Sequence, residues 1–160
     1  MDELRDPVNQ VCPRARRMWF IGAATEGAIL IAAVAVATTL WLPGWWTWPA
    51  IAAAVVLGVA TAFGVPHWRY LVHRWEVTET AVYTQRGWWS RERRIAPMSR
   101  VQTVDFAQGP LARVFRLATV TVTTASAAGP LQIDGLDAQV ALGLVEDLTR
   151  KADLAEGDAT

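Results

Sequence analysis

Hydrophobic and polar positions follow one rule up to about residue 65 and another beyond it. Between 18 and 65 the only charged side chain is Glu26, and two apolar runs, 19–40 and 46–65, flank the stretch LPGWW. At a helical rise of about 1.5 Å per residue, runs of 22 and 20 residues reach roughly 33 and 30 Å, each enough to cross a hydrocarbon core of about 30 Å. The pattern predicts transmembrane helices over 18–42 and 46–65, folded back on each other by the Pro-Gly break. After Pro66 the period shortens to two. Val120 and Val122 alternate with Thr119, Thr121 and Thr123, the signature of a half-buried strand. Strands are expected over 69–78, 81–85, 88–95, 100–106, 118–124 and 131–133, with reversals at 78–80 and 86–87 and a short apolar helical turn over 111–115. A helix follows, capped by Asp137, striped by Val140, Ala141, Leu144, Val145 and Leu148, and closed by Arg150 and Lys151. The acidic tail from 152 to 160 is expected to be disordered. The fold class is α+β: a cytoplasmic segment over 1–17, the helical hairpin, and an antiparallel domain over 66–151.

Aromatic and basic residues sharpen the membrane reading. Trp41, Trp45, Trp46 and Trp48 cluster at one end of the hairpin, and Trp19, Phe20, Trp68 and Tyr70 at the other, as interfacial belts. Arg14, Arg16 and Arg17 precede the first run and Arg69 and Arg74 follow the second, whereas the loop between has no charge. Both termini are therefore expected on the cytoplasmic side. The apolar run is too long for the core of a secretion signal, so it reads as an uncleaved anchor. Ala23 with Gly27, and Ala54 with Gly58 and Ala62, offer small faces for close helix approach, within the hairpin or between copies. Glu26 lies about 10 Å into the bilayer, where a carboxylate costs roughly 2–3 kcal/mol, and with no second ionisable group in either run its expected role is a hydrogen bond across helices.

Several motifs beyond Pro66 carry a resemblance. WEVTETAV, RGWWSR, RIAPMSRVQTVD, QGPLARVFRLATVTVTTA and the closing IDGLDA resemble the bacterial pleckstrin-homology-like proteins that carry two membrane spans before the domain. The resemblance covers about 66–151 in motif and the whole chain in layout. It implies a PH-like antiparallel sandwich or barrel capped by a C-terminal helix, and no assigned activity. The family usually has Gly where Arg116 stands; if that Gly serves a left-handed backbone, Arg116 adopts another turn or carries strain.

Candidate chemistry is sparse. The chain has 15 basic and 15 acidic residues, which gives no footprint for nucleic acid. One cysteine, Cys12, and two histidines, His67 and His73, make no metal-ligand pattern, and no cofactor is expected. Ser90, Ser99 and Ser126 lack partners for nucleophilic catalysis, and Asp105, Asp134 and Asp137 are better read as turn or capping residues, so no catalytic residue is assigned. Eukaryotic PH domains that bind phosphoinositides use basic residues around the first strand-to-strand loop; Thr78, Glu79 and Thr80, read as that loop, hold none. The basic cluster is elsewhere: Arg86, Arg91, Arg93, Arg94 and Arg100, with Trp88 and Trp89, combine charge and interfacial aromatics as a candidate lipid-surface contact. The expected role is a non-catalytic binding or assembly module on the inner face of a bacterial cell membrane, with the bilayer, an unknown protein or a second copy as partner. The alternative is the binding or handling of a lipid or amphiphile.

Overall fold

The computed structural model describes residues 6–42, 44–87, 89–125 and 129–157, for 155–157 the backbone only. Two bodies form, one from 16–68 and one from the first 15 residues together with everything from Arg69 onward.

The first body is a pair of helices. Helix α1 is Pro13–Trp41 and α2 is Gly44–Val72, both of 29 residues and both long and apolar enough to cross a membrane. Proline at the first helical position costs α1 nothing, because that amide has no intrahelical acceptor. Pro66, where the pattern ended the second run, sits inside α2. Its ring removes one ladder bond, yet the turn beyond it reforms and the His73 amide donates to the Arg69 carbonyl at 2.9 Å. The expected strand start at 69 is therefore helix. Along the pair, Ala54, Gly58 and Ala62 are buried. A methyl placed on Gly27 would sit 3.5 Å from the Gly58 Cα, so the small faces meet within the hairpin. Phe20 and Phe63 meet with tilted rings, 4.9 Å between centroids and 57° between planes, a further contact of the antiparallel pair.

The second body is two sheets and two helices. Its strands are β1 (Asn9–Gln10), β2 (Arg74–Val77), β3 (Ala81–Arg86), β4 (Glu92–Pro97), β5 (Val101–Ala107), β6 (Leu117–Thr124) and β7 (Leu131–Asp137). A 3-10 turn, Met98–Arg100, joins β4 to β5; α3 is Pro110–Val114 and α4 is Ala138–Gly157. One sheet has the order β1-β2-β3-β4 and the other β5-β6-β7, all antiparallel. Val120 and Val122 are fully buried and the intervening threonines half-buried, which is why β6 alternates as it does. Val82, Met98, Ile133, Leu136, Ala141, Leu144 and Leu148 complete the core. Of the helical stripe only Val140 departs, exposed at 48%. Helix α4 continues through Gly157, past the expected end at 151, and residues 158–160 of the expected tail lie outside those described.

The strand ahead of the hairpin was invisible in the pattern. Asn9 pairs with Trp75 and Gln10 with Arg74, so the segment ahead of the helices, to which the pattern assigned no element, supplies the edge of the first sheet. Val11 is buried at 3%. The first strand-to-strand connection of the domain is thus the whole helical hairpin, and the turn at Thr78–Thr80 is the second.

Candidate functional site

The β3–β4 hairpin turns on Gly87, whose φ is +120°. A Cβ there would lie 1.8 Å from the Ser90 carbonyl oxygen, so only glycine closes this reversal. The turn lifts Trp89, 88% exposed, together with Ser90 and Arg91 to the tip. Trp88 lies outside the described residues. Below the tip, Arg86 Nε donates to Glu92 Oε2 at 2.9 Å and Arg94 Nε to Glu92 Oε1 at 2.6 Å. Held between these donors, Glu92 keeps its carboxyl below the usual carboxylate range. Arg93 Nε donates to Gln85 Oε1 at 2.9 Å and its guanidinium also pairs with Asp6. Gln85 is buried and turns its amide to the Val72 carbonyl at 3.2 Å.

The seven residues expected to form one lipid-facing cluster are therefore divided. Arg86, Arg93 and Arg94 knit the hairpin to its surroundings, whereas Arg91 and Trp89 stand at its tip. Arg100 is not on the hairpin: it ends the 3-10 turn, exposed, and its side chain has no polar partner among the described residues. It shares with Arg93 and Arg94 a cleft of about 260 Å³ between β4 and the ends of β6 and β7. Glu26 is exposed on α1, without the expected cross-helix hydrogen bond among the described residues, because its neighbour Gly27 takes the packed face.

A second constellation, missed in the sequence, is built by the IDGLDA segment. Between Ala118 and Val120 the register of β6 against β7 shifts, and Gly135 takes φ +73° in the resulting bulge. The bulge frees the Gly135 carbonyl, which accepts the Cys12 amide at 2.9 Å. Asp134 accepts from Thr119 Oγ1 at 3.2 Å and from Arg69 Nη2 at 3.3 Å. Asp137 caps α4 through the Gln139 amide at 2.9 Å and pairs with Arg14; the amide first, and the guanidinium with it, hold its carboxyl below the usual range. His73 is packed beside Arg69, and burial, then that cation, push its imidazole down. Arg14 and Arg69, read from sequence as orienting charges, are both gripped by one six-residue stretch. An Asp-Gly pair inside an apolar strand was the available signal for the bulge.

Among the described residues no group of three or more His, Cys, Asp or Glu could hold a metal ion. Two antiparallel sheets of four and three strands, a C-terminal helix against them, and a pair of membrane-length helices define a PH-like protein of the membrane-associated class. The bacterial PH domain family matches residues 17–152, and the chain belongs to it. It is also similar to the UPF0699 transmembrane protein YdbS of Bacillus subtilis (strain 168), 33% identical over 156 residues, covering 95% of this chain and 97% of the relative. No solved structure matches the chain.

Proposed function

We propose that this is a two-span membrane protein whose PH-like domain is a non-catalytic binding and assembly module on the cytoplasmic face of the cell membrane. The observation that carries the reading is the pairing of β1 with β2: the strands on either side of the hairpin belong to one sheet, so both ends of the hairpin must lie on one side of any bilayer it enters. The basic residues at those ends support the cytoplasm as that side. The tip formed by Trp89 and Arg91 offers an aromatic and a cation to an anionic leaflet, where each basic residue near the surface is worth about 1 kcal/mol. The outward carboxylate of Glu26, costly against lipid, supports a protein partner within the apolar layer, a second copy included.

Photo-crosslinking on the full chain in its membrane tests both contacts. A photoreactive residue replacing Ser90 is expected to give lipid adducts that diminish with Arg91→Glu. One replacing Ile29, a helical turn along from Glu26, is expected to give a protein adduct. Soluble proteins as the sole adducts at position 90, with lipid alone at position 29, would overturn the reading.

A specific observation favours the alternative of handling an amphiphile: the arginine-lined cleft has apolar as well as charged walls.

A further inference from the structure

We infer that α3 is a membrane contact in its own right: its exposed crown, Leu111 and Val114 with Arg113 and Arg116 beside them, seats in the headgroup layer of an anionic bilayer. The inference rests on the reading that the hairpin crosses that bilayer, and it concerns a surface apart from the Trp89 tip. At about 3.6 residues per turn, Ala112 and Phe115 share one side of the helix, and both are half-buried. That turns Val114 to the crown, 77% exposed, between Leu111, 39% exposed, and the exposed Arg113. Neither Arg113 nor Arg116 has a polar side-chain partner among the described residues, and from 106 to 117 the chain carries no acidic residue. The helix is held from both flanks: Gln108 Nε2 donates to the Leu117 carbonyl at 2.8 Å, and the Arg113 amide to the Gly109 carbonyl at 2.9 Å. Such anchoring lowers the ordering cost of binding.

Strand registers place the crown at the end of the domain where the chain passes into and out of the helical pair. Ala107 pairs with Thr119 at the close of β5, and Leu117 with Asp137 at the close of β7. The Arg116 carbonyl accepts the Ala138 amide, Asp137 pairs with Arg14 in the first turn of α1, and Asp134 pairs with Arg69 in the last turn of α2. From Arg14 the apolar run begins five residues on, about 7.5 Å of helical rise, comparable with a headgroup layer of roughly 5–7 Å. Exposed apolar side chains flanked by cations match such a layer, with hydrocarbon at its inner boundary and anionic groups at its outer one. Two basic residues against an anionic leaflet favour the seated pose roughly thirtyfold. Tethering by the hairpin holds lipid beside this end at a high effective concentration, which favours the bilayer over a soluble protein as its partner.

For the test, the full-length protein carrying Cys12→Ser and one introduced cysteine is labelled with a nitrobenzoxadiazole dye. It is reconstituted in nanodiscs of phosphatidylcholine with or without phosphatidylglycerol, doped with a lipid whose nitroxide sits near the headgroup. The dye at Val114→Cys is expected to be quenched in anionic discs, and the same dye at Ser99→Cys, exposed at the opposite end of β5, is not. Quenching at 114 is expected to fall to the level at 99 in neutral discs and in the variant Arg113→Glu with Arg116→Gln. Both arginines are exposed and make no side-chain polar contact among the described residues, so the variant keeps the fold, checked by circular dichroism; the neutral discs make the same comparison without it. A label at Ile29→Cys, read with a nitroxide deeper in the acyl chain, reports the spanning itself. Quenching at 29 with none at 114 overturns this inference and leaves the hairpin reading standing, whereas no quenching at 29 overturns that reading and the inference with it. Equal quenching at 114 and 99, quenching at 114 indifferent to charge, or shielding of 114 from iodide without lipid quenching, the mark of a protein partner, also overturns it.

Discussion

Arg116 is the one non-glycine residue with positive φ among those described, at +53°. It closes α3: its amide donates to the Arg113 carbonyl at 3.1 Å, and its own carbonyl accepts the Ala138 amide at 3.0 Å, tying the end of α3 to the start of α4. The left-handed conformation aims the second of these, the Arg116 carbonyl, at the start of α4. An L side chain in that conformation costs roughly 1–2 kcal/mol, against roughly 0.5–1 kcal/mol of extra chain entropy that glycine loses on folding. Arg116→Gly is therefore expected to stabilise the domain by about 0.5–1 kcal/mol, seen as a rise of a few degrees in the unfolding temperature. A fall would show that the arginine side chain contributes more than its backbone costs. The departure from the family's usual glycine was legible in the sequence, which left open another turn or a strained left-handed backbone; the structure has the left-handed backbone. The division of the arginine cluster was not. Arg93 and Arg94 are neighbours on β4 and take opposite faces, and what each meets depends on Asp6, Gln85 and Pro130, which come from three other places in the chain.

At the scale of elements, strands with an alternating pattern and helices with long apolar runs were readable, because each announces itself within its own residues. Boundaries fixed by distant partners were not. Pro66 stopped the predicted second helix, yet α2 continues to Val72, and β1 is two residues whose only cause is β2. The bulge at Gly135 explains why that edge is stable: besides the ladder, the Cys12 amide, Val11 and Arg14 are all held by the domain. Val11→Asp places an unpaired carboxylate in a site that excludes water, at an expected cost of several kcal/mol or a shift to the protonated form. Hydrogen exchange on the purified protein is expected to show lost protection in β2, at Trp75 and Val77, with β6 less affected. Unchanged protection at β2 would mean that β1 adds nothing to the sheet.

For the whole molecule, these contacts turn a chain that reads as anchor followed by domain into a domain with an anchor inserted between its first two strands. The segment before α1 and the segment after α2 are parts of one sheet, and one stretch of β7, from Asp134 to Asp137, engages Arg14 and Arg69 at the two ends of the hairpin. The measurement that bears most directly on this account is cysteine accessibility in intact cells, in a Cys12→Ser background so that no native thiol competes. With Gly44→Cys, between the helices, an impermeant maleimide is expected to label at once. With Val8→Cys or Asp153→Cys, one on each side of the hairpin in sequence, labelling is expected only after permeabilisation. Opposite behaviour of positions 8 and 153, or protection of position 44 with labelling of both others, would contradict it.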